Sequence, residues 1–194
     1  MSALNQVATL RSAIFPRSTA VTKVGLVLGG TLFLSAMAQL SIPLPGSPVP
    51  FTGQTLAILL LGTAYGASLG LTTIALYILA GISGAPVFQS HNQGWDYFVG
   101  KTGGYLVGMI IATFVIGTLA GRRWDQRIRT AIPTMLLGDA IVFAVGVPWL
   151  HHVAPLTWSL AIKFGFTNFI LAEAIKIAIA STALPTVWKF VPKK

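Results

Sequence analysis

Two oppositely charged residues, Glu173 and Lys176, lie within an otherwise apolar stretch, FILAEAIKIAIA. Because they are three residues apart, a helix would project them from one face, where they can pair directly. One interpretation is a structural ion pair. The other is that both face a polar ligand, with Glu173 accepting N–H hydrogen bonds and Lys176 meeting a carboxylate. Buried ion pairs stabilise a fold poorly, so we favour the ligand site.

Asp139, in LLGDAIVF, is a further ionisable residue in an apolar segment. A charge at membrane depth costs about 2.5 to 3.5 kcal/mol, so such a residue needs a partner, water or a ligand. Three roles stay open for Asp139: a proton carrier, a ligand contact, or a partner for a lysine elsewhere. Tyr77, Phe88 and Tyr105 could stack on a ligand, although aromatic residues in membrane proteins usually serve packing.

Lys101 lies in VGKTGGYLVG, which contains Gly-Lys-Thr, the last three residues of a phosphate-binding loop. That loop requires a glycine five positions before Gly100, and this position is Trp95. We therefore predict no nucleotide site, and Lys101 stays a candidate ligand contact. His151 and His152 are adjacent in a loop with no third ligand in view, so we predict no metal site.

The composition is that of an integral membrane protein. Only 9% of the residues are charged and 54% are hydrophobic, against roughly a quarter charged in a soluble domain. Between Val24 and Trp95 there is no Asp, Glu, Lys or Arg. A soluble fold could not cover its surface with so few charges. The absence of cysteine excludes disulfides and thiolate metal sites.

Most basic residues fall in three clusters that flank the apolar segments. An even number of spans between the clusters would put them all on one side, and a positively charged side is cytoplasmic. We therefore predict that both termini are cytoplasmic in a multi-pass protein of the cell membrane. This placement also excludes a nucleic-acid role. The clusters are Arg11, Arg17 and Lys23; Arg122, Arg123, Arg127 and Arg129; and Lys189, Lys193 and Lys194.

The predicted fold class is all-α, a bundle of six transmembrane helices. Apolar residues 51–84 are too long for one crossing of about 30 Å. We therefore place a turn among Gly62, Gly66 and Gly70, which gives two short spans. The predicted spans are 24–42, two within 51–84, 104–120, 132–150, and one within 158–188.

Three regions follow from these spans. Residues 1–23 form a basic N-terminal cytoplasmic segment, 24–190 form the six-helix membrane substrate-binding domain, and 191–194 form a basic C-terminal tail. For the first region we favour a surface helix over an organelle transit peptide. The apolar stripe of that helix would be Leu4, Val7, Ile14 and Phe15, ended by Pro16.

Gly25 and Gly29 are four residues apart on the predicted first helix. This spacing lets another helix approach closely. Packing inside the monomer is one explanation. Docking of a second membrane protein is the other, and the first helix is the better candidate for it.

Several motifs together resemble the BioY family, the biotin-binding membrane subunits (S components) of energy-coupling factor (ECF) transporters. They are SPVPFTGQTLAILLLG, GISGAPVF, GKTGGYLVG, VGVPWL and NFILAEAIK, in that order, and the resemblance covers about residues 20–185. It implies a six-helix bundle that holds biotin near its outer face, under the loop between the first two helices. It also implies partners, namely a second membrane subunit and two cytoplasmic ATPases, or self-association where the subunit is solitary.

The resemblance also implies site residues. The family's Asp-x-x-Lys falls on Glu173 and Lys176, and its Gln-Thr on Gln54 and Thr55, whereas Lys101 replaces a proline. Biotin offers ureido N–H groups and a valerate carboxylate. We expect Glu173 to accept from the N–H groups with help from Gln89 or Gln54, and Lys176 or Lys101 to meet the carboxylate.

The predicted function is therefore biotin capture for uptake, with no enzyme activity and no bound cofactor. One alternative is a proton-coupled secondary carrier of a small carboxylate or vitamin, with Asp139 and Glu173 as proton sites. The absence of a detectable inverted repeat counts against it. An intramembrane enzyme is a weaker alternative, because the sequence has no H-E-x-x-H or G-x-S-x-G motif.

Overall fold

The structure is a computed structural model that describes residues 9–191, and it is mostly helical. Short strands β1 and β2 form an antiparallel pair in which Ser41 lies opposite Thr52. Two 3₁₀ turns lie at Gln89–His91 and Thr167–Phe169. The elements of the described range are α1 (Leu10–Ile14), α2 (Ala20–Gln39), β1 (Ser41–Ile42), β2 (Phe51–Thr52), α3 (Gln54–Ile82), α4 (Trp95–Phe98), α5 (Gly103–Ala120), α6 (Ile128–Val153), α7 (Trp158–Gly165) and α8 (Ile170–Phe190).

Five helical segments of the described chain are long and apolar enough to cross a membrane. The prediction of an all-α fold is confirmed, and these segments support the assignment to a membrane. They are α2, α3, α5, α6 and the stretch Trp158–Phe190, which contains α7 and α8.

Helix α3 folds back on itself at Gly66, whose φ of 79° and ψ of 173° are not helical. Glycine adopts this conformation without strain. Gln54 Nε2 donates a hydrogen bond of 2.8 Å to Tyr77 Oη, whereas a straight helix would hold residues so spaced about 35 Å apart. The two halves of α3 therefore lie side by side, and the turn predicted among three glycines is at Gly66.

The last apolar stretch, predicted within 158–188, is broken rather than continuous. Helix α7 ends at Gly165, and Phe166 has φ −140° and ψ −58°. The turn Thr167–Phe169 follows before α8 begins. This break separates a short α7 from the long α8.

The N-terminal part differs from the prediction of a surface helix. Helix α1 ends before Pro16, but Leu10 is buried in the core. A Cβ at Gly66 would lie 2.7 Å from Thr9 Cγ2, so α1 packs against the turn of α3. The predicted stripe residues Leu4 and Val7 lie outside the described residues.

One end of the bundle gathers the basic segments of the described chain; Lys193 and Lys194, in the predicted C-terminal tail, lie outside the described residues. Helix α1 meets the turn of α3 there, and the C-terminal part of α5 also meets it, because a Cβ at Gly117 would lie 2.4 Å from the Ala67 nitrogen. The loop after α5 is tied to the end of α8, since Trp188 Nε1 donates to Asp125 Oδ2 at 2.5 Å. We call this the basic end. The strands, α4, α7 and the turn Gln89–His91 form the opposite end.

Candidate ligand-binding site

A cavity lies at the opposite end, between β2, the start of α3, and the inner faces of α5, α6 and α8. Its volume is about 40 Å³, whereas pockets for drug-sized ligands are about 300 Å³ or more. A ligand larger than a few atoms therefore requires the cavity to open. Its polar lining includes Thr52, Gln54, Thr55, Gln89, Glu173 and Lys176, and its apolar walls include Tyr97, Tyr105, Met109, Phe143 and Phe169.

A hydrogen-bonded ion pair forms the polar floor of the cavity. Lys176 Nζ lies 2.7 Å from Glu173 Oε1, and Thr55 Oγ1 donates to Glu173 Oε2 at 2.8 Å. Glu173 is buried, with 4% of its surface exposed. The carboxylate lies in the first turn of α8, where the positive end of the helix dipole favours it.

The ammonium group of Lys176 has three hydrogen-bond acceptors. Besides Glu173, it donates to Thr52 O at 2.6 Å and to Thr55 Oγ1 at 2.9 Å. An ammonium carries three donors, so all of them are used. A ligand carboxylate can bind Lys176 only by replacing one of these acceptors.

Gln54 lines the cavity at the start of α3 and is almost fully buried. Its amide N–H donates to Tyr77 Oη, and Tyr77 packs edge-on against Phe88 at 5.5 Å between ring centroids. The fold-back of α3 thereby fixes the orientation of the Gln54 amide.

A strained turn positions Gln89 at the cavity. Ser90 and His91 have positive φ values of 53° and 60°, which non-glycine residues rarely adopt. Gln39, at the end of α2, holds this turn, because its Nε2 donates to Phe88 O at 2.9 Å and its Oε1 accepts from His91 N at 2.9 Å. Tyr97 Oη donates to Gln89 Oε1 at 3.3 Å.

Tyr105 forms part of the wall beside α6 and α7. Its hydroxyl donates to Gly165 O at 2.8 Å, and its ring packs edge-on against Phe143 at 5.9 Å. Gly146 admits the ring, since a Cβ there would lie 2.4 Å from Tyr105 Cδ1. The break after α7 thus anchors Tyr105.

Three predicted site residues do not line the cavity. Lys101 is exposed, although its neighbour Thr102 is part of the lining. Phe88 is fully buried and stacks on Tyr97 at 5.0 Å. Asp139 is buried beside Glu173, close enough for the two carboxyl groups to interact directly.

Gly25 and Gly29 lie on an exposed face of α2. A Cβ at either would meet no atom within 4 Å, so close packing inside the described chain does not explain them. By contrast, a Cβ at Gly104 would lie 2.2 Å from Trp149 Cβ. Leu28 and Leu32 are 51% and 70% exposed on the same helix. We call these four residues the α2 surface.

Residues that the sequence did not single out complete the site. Thr52 and Phe169 join it through long-range contacts, and Phe51 packs edge-on against Phe169 at 4.7 Å. Gln39 supports the turn next to Gln89 without lining the cavity. Phe51, Thr52 and Phe169 lie within the motifs quoted above and Gln39 lies outside them. The motifs alone indicate no role for these residues, because their roles arise only when distant segments meet.

The chain is similar to curated transport proteins over most of its length. It is 33% identical over 168 residues to the biotin transporter BioY2 of Lactococcus lactis, which covers 85% of this chain and 89% of that protein. It is 34% identical over 155 residues to the biotin transporter BioY of Thermotoga maritima, covering 78% and 86%.

A solved structure shares the fold. The S-component for biotin from an ECF-type ABC transporter aligns with a TM-score of 0.78 at 23% identity, covering 89% of this chain and 95% of that one. The model of the BioY family matches residues 8–193. The chain therefore belongs to the BioY family.

Proposed function

We propose that this protein captures biotin in the cavity and acts as the substrate-binding subunit of an ATP-driven ECF-type transporter. The observation that carries the proposal is the buried Glu173 carboxylate beside the Lys176 ammonium in a cavity with aromatic walls. We propose biotin as the ligand because the relatives are named biotin transporters. This role is transport, not enzyme catalysis, and needs no cofactor bound to this chain.

Biotin suits the chemistry of the cavity. Its fused rings fit between aromatic side chains, for which Tyr97 and Tyr105 are available. Its ureido N–H groups can donate to Glu173, which accepts as a carboxylate. The amides of Gln54 and Gln89 can satisfy the ureido oxygen.

Lys176 is the first candidate for the carboxylate of biotin, and because it lies 2.7 Å from Glu173, the valerate chain must then fold back towards the ureido group. Because all three donors of Lys176 are in use, binding requires the loss of one acceptor, either Thr52 O or Thr55 Oγ1. Lys101 is the other candidate, since it is exposed next to the lining residue Thr102. The variants K176M and K101M separate the two candidates. Loss of the lysine that holds the carboxylate should abolish the preference for biotin over its amide, biotinamide, whereas loss of the other lysine should leave that preference unchanged.

We infer that the chain crosses the cell membrane six times and that the basic end is cytoplasmic. Two observations support this topology: α3 folds back at Gly66, and the basic segments gather at one end. The cavity then faces outward, as capture from outside requires. Reporter fusions at both termini and within 121–127 test the topology, and an external reporter at any of these three places would refute it.

The α2 surface is proposed to contact the second membrane subunit, which couples this chain to two ATPases. Small residues let helices approach closely, and the exposed Gly25 and Gly29 have no neighbour in the described chain. The variant G25V/G29V should retain biotin binding by the purified subunit and lose uptake in cells. If a cell holds no such partners, the same surface is expected to mediate self-association, and crosslinking from position 28 distinguishes the two.

The first test of function is equilibrium binding of biotin to the detergent-purified protein, with desthiobiotin and thiamine as competitors. We expect tight binding that desthiobiotin blocks and thiamine does not. E173Q and K176M should each weaken it by tenfold or more, because a hydrogen bond to a charged group is worth about 1.5 to 3 kcal/mol. Unchanged affinity in both variants would refute the site.

A proton-coupled carrier is the alternative, and the contact between Asp139 and Glu173 favours it. It predicts that biotin uptake collapses when an uncoupler is added while the ATP level is held constant. ATP-driven uptake instead survives the uncoupler and stops when ATP is depleted.

A further inference from the structure

Asp139 is a buried acid that the binding site leaves unexplained. It is 8% exposed, and its Oδ1 has no hydrogen-bond partner among residues 9–191. It lies beside Glu173 and near Lys176. It does not line the cavity. An unsatisfied buried carboxyl is costly, so its presence calls for a physical reason.

The number of charges determines the protonation state of the cluster formed by Asp139, Glu173 and Lys176. Two carboxyl groups face a single ammonium, that of Lys176, and Glu173 already makes the 2.7 Å ion pair with it. A second buried carboxylate would be uncompensated and would repel the first. A neutral Asp139 instead has an O–H group, from which the Glu173 carboxylate can accept a hydrogen bond.

Within residues 9–191, no other charged group near Asp139 balances its charge. Helix α5 has no charged residue between Gly103 and Ala120, and its Tyr105 hydroxyl is bonded to Gly165 O. Helix α3 also has none, and its Tyr77 hydroxyl is bonded to Gln54. From α8, the groups that face Asp139 are Glu173 and Lys176. Lys163 of α7 is exposed.

We propose that Asp139 is a positioning residue that keeps its proton and donates it in a hydrogen bond to Glu173. The proton holds Glu173 ionised and oriented towards the ligand, while the Asp139–Glu173–Lys176 cluster stays neutral overall. Loss of the proton would leave two carboxylates against one ammonium and would turn Glu173 away from its ligand-binding orientation. Asp139 acts through Glu173 and does not touch the ligand. As a role in binding, this inference rests on the proposed function.

The first test measures biotin affinity from about pH 7 to about pH 10 for the wild type, D139N and D139L. Asparagine keeps a neutral N–H donor for Glu173, and leucine has none. At pH 7 we expect D139N to bind about tenfold more tightly than D139L. Affinity should fall with rising pH in the wild type and fall less in D139N, because D139N has no Asp139 proton to lose. D125N, which alters the other buried aspartate away from the site, should keep the pH profile of the wild type.

Two binding results would overturn the proposal: the same alkaline loss of affinity in D139N as in the wild type, or equal affinity of D139N and D139L. The second test needs no ligand. At neutral pH, the infrared spectrum of the wild type minus that of D139N should show a protonated carboxyl band, because only the wild type carries the Asp139 proton. Persistence of the band in D139N, with its loss in E173Q, would place the proton on Glu173 and refute the assignment. If the wild type binds no biotin, the proposed function fails, and the infrared result alone decides the state of Asp139.

Discussion

Thr55 and Glu173 are 118 positions apart in the chain, yet the Thr55 hydroxyl donates a hydrogen bond of 2.8 Å to the Glu173 carboxylate. The same hydroxyl oxygen accepts from Lys176 at 2.9 Å. A single hydroxyl of α3 therefore holds both members of the α8 ion pair. This arrangement fixes the polar floor of the cavity before any ligand enters.

Replacing Thr55 by valine should weaken biotin binding by roughly tenfold. The substitution leaves one buried donor and one buried acceptor unsatisfied, each worth about 1 to 3 kcal/mol. T55S keeps the hydroxyl and serves as the control in calorimetric titration. Wild-type affinity in T55V would show that the hydroxyl does not order the pair.

The buried Asp125 should make stability depend on pH. Burial raises the pKa of Asp125 from 3.8 to about 6, although its hydrogen bond from Trp188 opposes the shift. Well below pH 3.8 the carboxyl is protonated in both the folded and the unfolded state. As the pH rises towards 6 the unfolded chain ionises first, so the free energy of unfolding falls by about 3 kcal/mol and stays lower above pH 6.

D125N removes this titration and retains an oxygen acceptor for Trp188. Thermal unfolding in detergent should therefore show D125N more stable than the wild type above pH 6 and closer to it near pH 4.5. Parallel curves for the two proteins would mean that Asp125 ionises normally.

Gly66→Ala should destabilise the fold by about 1 to 3 kcal/mol, the usual cost of a strained backbone conformation. Its φ of 79° disfavours any Cβ, and that Cβ would meet Thr9. Gly29→Ala is the matched control, because it lies in helical backbone with open space around it. A melting temperature of G66A equal to that of G29A would contradict the account of the turn.

Removing the Gln39 side chain should reduce biotin affinity several-fold. Q39A deletes two hydrogen bonds that hold the positive-φ turn beside Gln89, and each such bond is worth about 1 kcal/mol. Q93A alters an exposed glutamine nearby and should bind like the wild type. Equal affinity of the two variants would indicate that the turn holds without Gln39.

Part of the site could be predicted because it depends on local spacing. Glu173 and Lys176 are three residues apart, and any helix brings them together. A motif that resembles a known family predicts Gln54, and the aromatic ring of Tyr105 makes that residue a candidate for stacking; both line the cavity. Lys101 and Phe88 come from neighbouring motifs but do not line the cavity. Lys101 points outward and Phe88 is buried behind Tyr97, because proximity in the sequence does not fix the direction of a side chain.

The sequence by itself determined the membrane class, the presence of a turn among three glycines of 51–84 and the pairing of Glu173 with Lys176. These depend on hydrophobicity, on glycine conformation and on helical periodicity, which act over a few neighbouring residues. Only the tertiary structure decided that Thr55 holds the pair, that Gln39 supports Gln89 and that Asp139 lies against Glu173. Those contacts join helices that are distant in the chain, and their geometry is set by how whole helices pack.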